Sequence, residues 1–272
     1  MATTASGTAL ITGGSSGIGL SLAREFARAG FAVVLVARDA GRLAEQAQAL
    51  GAQVPVVVQA IAIDLSRPGG AKELVEELDR RALTVDVLVN NAGIGTYGPY
   101  ADSDLPAISG LIALNIGALC TLTRLILPGM IARGQGRIMQ VASTAAFQPG
   151  PLMAVYSATK AFVLSFSEAL ADELGGSGVT VTCLCPGATR TGFAERAGMS
   201  TSRLFQGALM DSDAVARAGF KACMAGRHLV IPGVMNHLLT LVVRFTPRRI
   251  VTRVVRFMLE QVGASAGRTP GV

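Results

Sequence analysis

The chain has 272 residues, half of them apolar and 15% charged, enough for a large core and incompatible with a disordered or coiled-coil chain. Its formal net charge of +6 is confined to one region, because residues 227–272 hold seven arginines against Glu260 alone and the remainder is balanced. A basic body that wraps nucleic acid is therefore not expected.

In chain order, the first two thirds alternate β-branched runs with helical patterns. Thr8–Thr12 reads as a strand, Gly13–Gly19 as a tight turn, and Ile18–Ala29 as an amphipathic helix stopped by Gly30. Phe31–Ala37 and Val54–Ile63 read as strands around a helix at Gly41–Leu50. A helix over Ala71–Arg81 follows, with Leu74, Val75 and Leu78 on its apolar face, and then a strand at Val85–Asn90. Leu105–Arg133 contains a long helix, Arg137–Ala142 a fifth strand, Val155–Leu174 a helix, and Val179–Cys185 a strand ended by Pro186-Gly187. These strands are apolar on both faces, as parallel strands between two helical layers must be. The expectation is an α/β, Rossmann-type doubly wound parallel sheet. It forms a single domain over residues 1–232, with a helical extension of the same domain at 233–272.

Beyond Gly187 the pattern loosens. Residues 188–210 read as a loop or short helices, Asp213–Met224 as a helix, and His228–Ile231 as a last strand. Val234–Gln261 reads as two apolar-basic helices parted near Thr246-Pro247. In the second, Arg249, Arg253 and Arg256 recur at i, i+4 and i+7. A surface helix packed on the domain is the preferred reading; a basic amphipathic helix on an anionic membrane is the alternative.

Four cysteines (Cys120, Cys183, Cys185, Cys223) have neither a disulfide-scaffold density nor metal-ligand spacing, so reduced thiols and no metal are expected. The N-terminus shows no secretory pattern, and Leu105–Thr123 and Leu229–Val243 are interrupted by polar residues, glycine or proline. A cytoplasmic protein is the expectation.

The segment Thr12-Gly-Gly-Ser-Ser-Gly-Ile-Gly19 lies between a strand and a helix, where small residues let a pyrophosphate approach free N–H groups at a helix N-terminus. Gly13-Gly-Ser15-Ser-Gly17 also fits a hydrolase nucleophile elbow. That alternative would need His228 or His237, and no strands precede Ser15 to build an oxyanion loop.

Six segments in order resemble the short-chain dehydrogenase/reductase family: the Thr12–Gly19 turn, Asn90-Asn-Ala-Gly93, Asn115, Ser143, Tyr156-Ser-Ala-Thr-Lys160, and Pro186-Gly187 with Thr191. Tyr156 and Lys160, four apart, share one helix face, and an adjacent ammonium is expected to lower the phenol pKa. Such a pair can exchange the proton of an alcohol/ketone couple. The resemblance implies Tyr156 as acid/base, Lys160 also holding the nicotinamide ribose, Ser143 orienting the substrate oxygen, and Asn115 in a proton relay. It implies cofactor contacts at Gly13, Ser15, Ser16, Gly17, Ile18, Gly19, Arg38, Asp64, Leu65, Asn91, Ala92, Gly93, Pro186, Gly187, Thr189 and Thr191. Arg38 precedes Asp39 at the end of the second strand, which favours NADP(H), with NAD(H) as the alternative. Phe193, Met199, Leu204, Phe205, Leu209 and Met210, with Tyr97 and Tyr100, suggest a pocket for a small-molecule substrate, a medium or bulky apolar carbonyl or alcohol. A homodimer or homotetramer is expected from the resemblance, and a non-catalytic dinucleotide sensor on the same fold is the other reading.

Overall fold

A computed structural model describes residues 6–262. Seven strands form one parallel sheet: β1 Thr8–Thr12, β2 Ala32–Ala37, β3 Val58–Ala62, β4 Val87–Asn90, β5 Gly136–Val141, β6 Val179–Leu184 and β7 Leu229–Val230. Their spatial order is β3-β2-β1-β4-β5-β6-β7. β1 is thus flanked by β2 and β4, with Leu10 level with Val34 on one side and Leu88 on the other. The chain reverses direction of travel across the sheet here, and a crevice opens beyond the carboxyl ends of β1 and β4.

Helices α1 Gly17–Arg28, α2 Ala40–Gly51 and α9 Ser212–Met224 cover one face. There Leu22 and Phe26 of α1 pack on Ile11 and Leu35. The other face is covered by α3 Gly70–Arg80, by α4 Leu105–Ile112 continuing through a π-helical turn Ala113–Ala118 into α5 Leu119–Ala132, and by α6 Ala154–Glu173. There Leu74, Leu122 and Leu170 close over Leu10, Leu88 and Val181. With both faces buried, near-continuous apolar strands are the only stable choice. The expected third strand is shorter than its apolar run, because Pro55 offers no N–H to the ladder and Val54 and Val56 pack as a loop against the core instead.

One helical run, Leu105–Ala132, is long and apolar enough to cross a membrane. Its Leu111, Leu119, Leu122 and Met130 are buried inside this fold while Leu105, Ile112, Leu125 and Ile131 are exposed, so only part of its apolarity serves the core. The segment after β6 forms α7 Phe193–Ala197 and α8 Arg203–Gln206, tied back by a bridge between Thr189 and Met210. The tail forms α10 Val234–Phe245 and α11 Arg248–Leu259, parted at Thr246-Pro247 as expected.

Candidate active site

The glycine turn uses its glycines for two separate purposes. Gly13 and Gly17 adopt positive φ (66° and 55°), which side-chain-bearing residues rarely tolerate. Gly19 is needed for space: a Cβ there would stand 2.3 Å from the Gly13 carbonyl oxygen and 2.4 Å from Asn91 Nδ2. Ser16 precedes α1 in extended conformation without using its hydroxyl as a cap, and the first turn of α1 has no acidic residue. Its N–H groups and positive dipole end are therefore available to an anion.

Ser15, Ser16, Gly17 and Ile18 line a cavity of about 320 Å³ together with Gly13, Arg38, Asp64, Leu65, Asn91, Ala92, Gly93 and Thr191. Most of the expected contacts thus converge, but Gly19 and Lys160 do not line the cavity, and Tyr156, Pro186, Gly187 and Thr189 line a neighbouring one instead. Asn91 fastens the turn, donating from Nδ2 to the Thr12 carbonyl at 2.9 Å, while Thr12 Oγ1 accepts from Asn91 N and Ala92 N at 3.0 Å each. Asn90 instead faces the core and donates to Thr123 Oγ1 at 3.0 Å. Asp64 lines the cavity, and its Oδ1 accepts from the backbone N–H and hydroxyl of Ser66, which hold its carboxyl below the ordinary range. Neither His228 nor His237 lines the cavity that contains Ser15, which removes the hydrolase alternative.

Arg42 also lines this cavity, a contact that sequence reasoning missed. Asp39 also lines the cavity, and it caps α2 with Oδ1 accepting from Arg42 N at 3.0 Å, so one of its two oxygens is engaged in the helix start. The available signal was the i, i+4 spacing of Arg38 and Arg42 across that cap.

Ser143 follows β5, at the carboxyl edge of the sheet, and accepts from Ala145 N at 3.1 Å. Tyr156 and Lys160 sit one turn apart on α6, with Lys160 Nζ 5.8 Å from the Tyr156 ring centroid. The Tyr156 ring rests on Phe193 at 5.3 Å. Lys160 is buried and its Nζ donates to the Val141 carbonyl at 2.8 Å. Asn115, in the π-helical turn, accepts from Ile94 N at 3.0 Å and donates to Ile94 O at 2.9 Å and Thr159 Oγ1 at 3.1 Å. Both amide protons are committed, so only its lone pairs and backbone carbonyl remain for a relay.

The electrostatics correct one expectation. The phenol is half-buried in the wall of an apolar cavity, and desolvation there outweighs the Ser143 hydroxyl, so the Tyr156 pKa is raised to about 12 rather than lowered. Burial also lowers Lys160 to about 8, against a smaller opposing influence of the Cys183 and Cys185 thiols. Spacing showed that the two groups adjoin; it carried no information about desolvation.

Folded Lys160 titrates below its ordinary value of 10.5, so between about 8 and 10.5 the unfolded chain binds more protons and stability rises with pH. Below about 8 the penalty is fully present. Lys160→Met should therefore stabilise the fold at pH 7 by up to about 3 kcal/mol, read as a raised melting temperature. Melting curves should show that gain shrinking as pH rises through the same window.

A second cavity of about 610 Å³ adjoins the first, the two sharing Thr191 and Phe193. Ser143 and Tyr156 face it from the sheet side, with Pro186, Gly187 and Thr189 from the turn after β6. Phe193, Met199, Leu204, Phe205 and Met210 line it as expected, but Leu209 does not. Tyr97 is not a lining residue: its hydroxyl donates to the Leu259 carbonyl at 2.7 Å and anchors the end of α11. Tyr100 is 65% exposed and takes no part. The unforeseen wall is the tail itself, where Leu239, Val243, Val251 and Val255 close the cavity.

A glycine-cradled crevice at the reversal point of a parallel sheet, adjoining a serine, tyrosine and lysine, defines a dinucleotide-type site beside a proton-transfer site. Residues 7–200 match the family model described as short chain dehydrogenase. The chain belongs to the short-chain dehydrogenase family. It is 36% identical over 182 residues to a very-long-chain 3-oxoacyl-CoA reductase of Bos taurus, covering 65% of this chain and 58% of that protein. The chain spans about 60% of the length of the curated relatives it matches. Among solved structures it resembles a short-chain dehydrogenase from Sphingobium yanoikuyae in complex with NADPH (TM-score 0.78, 33% identity, 89% of this chain and 97% of that one). It also resembles a bulky-bulky ketone specific alcohol dehydrogenase from Comamonas testosteroni (TM-score 0.75, 30% identity, 97% and 98%).

Proposed function

We propose that this chain is an NADP(H)-dependent oxidoreductase that interconverts a bulky apolar ketone or aldehyde and its alcohol. The observation that carries this reading is the adjacency of the two cavities, one polar and glycine-cradled, the other apolar with Ser143 and Tyr156 in its wall. A nucleotide fits the first cavity by its chemistry: free helix N–H groups and small residues suit a pyrophosphate, while two guanidiniums suit a further phosphate. When bound, its nicotinamide supplies or accepts the hydride.

The chain's own groups do the rest. Ser143 Oγ positions the substrate oxygen beside Tyr156 Oη. Tyr156, held protonated through neutral pH by burial, gives its proton to that oxygen during reduction and takes it back during oxidation. Lys160 supplies a positive charge behind the phenol and a donor for ribose hydroxyls. Asn115 holds the Ile94 segment, next to Gly93, and fixes the wall that Lys160 faces. The alternative sensor role does not account for Ser143 and Tyr156 standing together in the apolar cavity's wall with Lys160 behind the phenol.

NADPH oxidation against ketones of increasing bulk tests the reading. Turnover should improve from acetone-sized to ring- or long-chain-bearing ketones, and an enzyme active only on small polar carbonyls would contradict it. Arg38→Ala and Arg42→Ala should each weaken NADPH binding about 10-fold or more while leaving NADH binding nearly unchanged, since a charged hydrogen-bond pair contributes about 1.5–3 kcal/mol. Fluorescence titration with the two nucleotides reads this directly.

A further inference from the structure

The tail does more than close a pocket. Along α10, Val234, Leu238, Leu241 and Phe245 recur at i, i+4, i+7 and i+11, all exposed, with Val234 at 89% and Phe245 at 82%. None of them lines the apolar cavity. Thr240 is the one buried residue of α10, although eight of the helix's twelve residues are apolar. On α11, Ile250, Val254 and Phe257 are exposed in the same way, and only Val251 and Leu259 are buried. The expected packing of the tail's apolar face onto the domain is thus only partly realised. A contiguous apolar surface of this size on a folded chain marks something that covers it.

Charge identifies the cover. Arg244, Arg248, Arg249 and Arg253 are exposed on the same two helices, and among the described residues none forms an ion pair. Of the arginines on these two helices only Arg256 finds a carboxylate among the described residues, Glu260, which it shares with Arg203 of α8. A second copy of this chain would gather twice the number of unpaired guanidiniums at the interface with no free carboxylate from either helix to meet them, because Glu260 is already engaged, which is unfavourable. An anionic lipid surface takes both features at once: the apolar stripe enters the acyl boundary while the arginines reach headgroup phosphates.

The cavity adjoins this surface. Met235, Leu239, Val242, Ile250, Val254 and Met258 of α10 and α11 line the cavity and are also exposed, so the cavity wall and the apolar surface share side chains, and a mouth between the two helices is the opening this sharing favours. We infer that the α10–α11 face docks on the surface of an anionic phospholipid bilayer and opens the apolar cavity toward the acyl chains. Docking is independent of the proposed catalysis; delivery of an apolar substrate through that mouth rests on it.

The test is sedimentation of the full chain with vesicles of phosphatidylcholine alone and of phosphatidylcholine with phosphatidylserine in a roughly 7:3 ratio. Binding is expected to the anionic vesicles only, weakening as salt is raised. Phe245→Glu and the pair Arg249→Glu/Arg253→Glu should each lower the partition coefficient about 10-fold or more while leaving the melting temperature unchanged, since these positions are exposed and outside the cavity. Failure of the wild-type chain to bind anionic vesicles overturns the inference. So does binding that neither variant reduces. Dimers that Phe245→Glu dissociates, without vesicle binding, assign the face to a second copy instead. Vesicle binding without any ketone reduction upholds the docking and overturns only the catalytic reading.

Discussion

Tyr156→Phe should abolish most turnover while leaving nucleotide binding and folding intact. The substitution removes one oxygen and keeps the ring that packs on Phe193. Among the described lining residues of the apolar cavity, no histidine, carboxylate or lysine stands in for that oxygen. Loss of a positioned general acid costs about 10²–10⁴-fold in rate. Steady-state kinetics with NADPH and a bulky ketone should show the fall in kcat, with the nucleotide KM within about twofold of wild type. A variant retaining wild-type kcat would place the proton donor elsewhere. Alkaline spectrophotometric titration supplies an independent check, because the phenol that ionises last, near 12, should vanish in the variant.

Gly19→Ala should have the second largest effect, and through a different link. The added methyl would meet a backbone carbonyl and the Asn91 amide, which is itself bonded to Thr12 and Gly13. Nothing there is the free end of a flexible side chain, so either α1 moves off β1 or the Asn91 clamp opens. Overpacking of this kind costs about 1–3 kcal/mol. Because the displaced atoms form the turn, nucleotide affinity should fall about 100-fold or more, a larger loss than stability alone accounts for. Calorimetric titration with NADPH beside a melting curve separates the two. Wild-type affinity in a destabilised protein would show that Gly19 serves packing only.

The legible parts of the molecule were those with a period or a fixed spacing. Strand-helix alternation gave the sheet and its parallel sense, and the stop at Gly30 and the break at Thr246-Pro247 appear where local chemistry requires them. Tyr156 and Lys160 were legible because a helix makes i and i+4 neighbours whatever surrounds them. Their pKa shifts were not, since burial comes from α4, β5 and β6 folding over them from distant parts of the chain. Arg42 escaped notice because Asp39 could serve either as a cap or as a ribose ligand, and only the fold shows that it caps α2. Tyr97 is instructive in the same way: its ring was readable as a pocket wall, yet its hydroxyl ties a strand-end loop to a helix end more than 150 residues later. The tail's basic, apolar composition was plain from the start. That its two helices would wall the cavity and still leave an apolar stripe exposed depends on where they come to rest.

The most direct measurement of the central claim is single-turnover reduction of a bulky apolar ketone by NADPH carrying deuterium at the transferable position. The proposed chemistry predicts deuterium at the product carbinol carbon, a primary isotope effect on the step, and a transfer rate about 10²–10⁴-fold lower in Tyr156→Phe. Product free of deuterium, or transfer that proceeds unchanged in Tyr156→Phe, would contradict it.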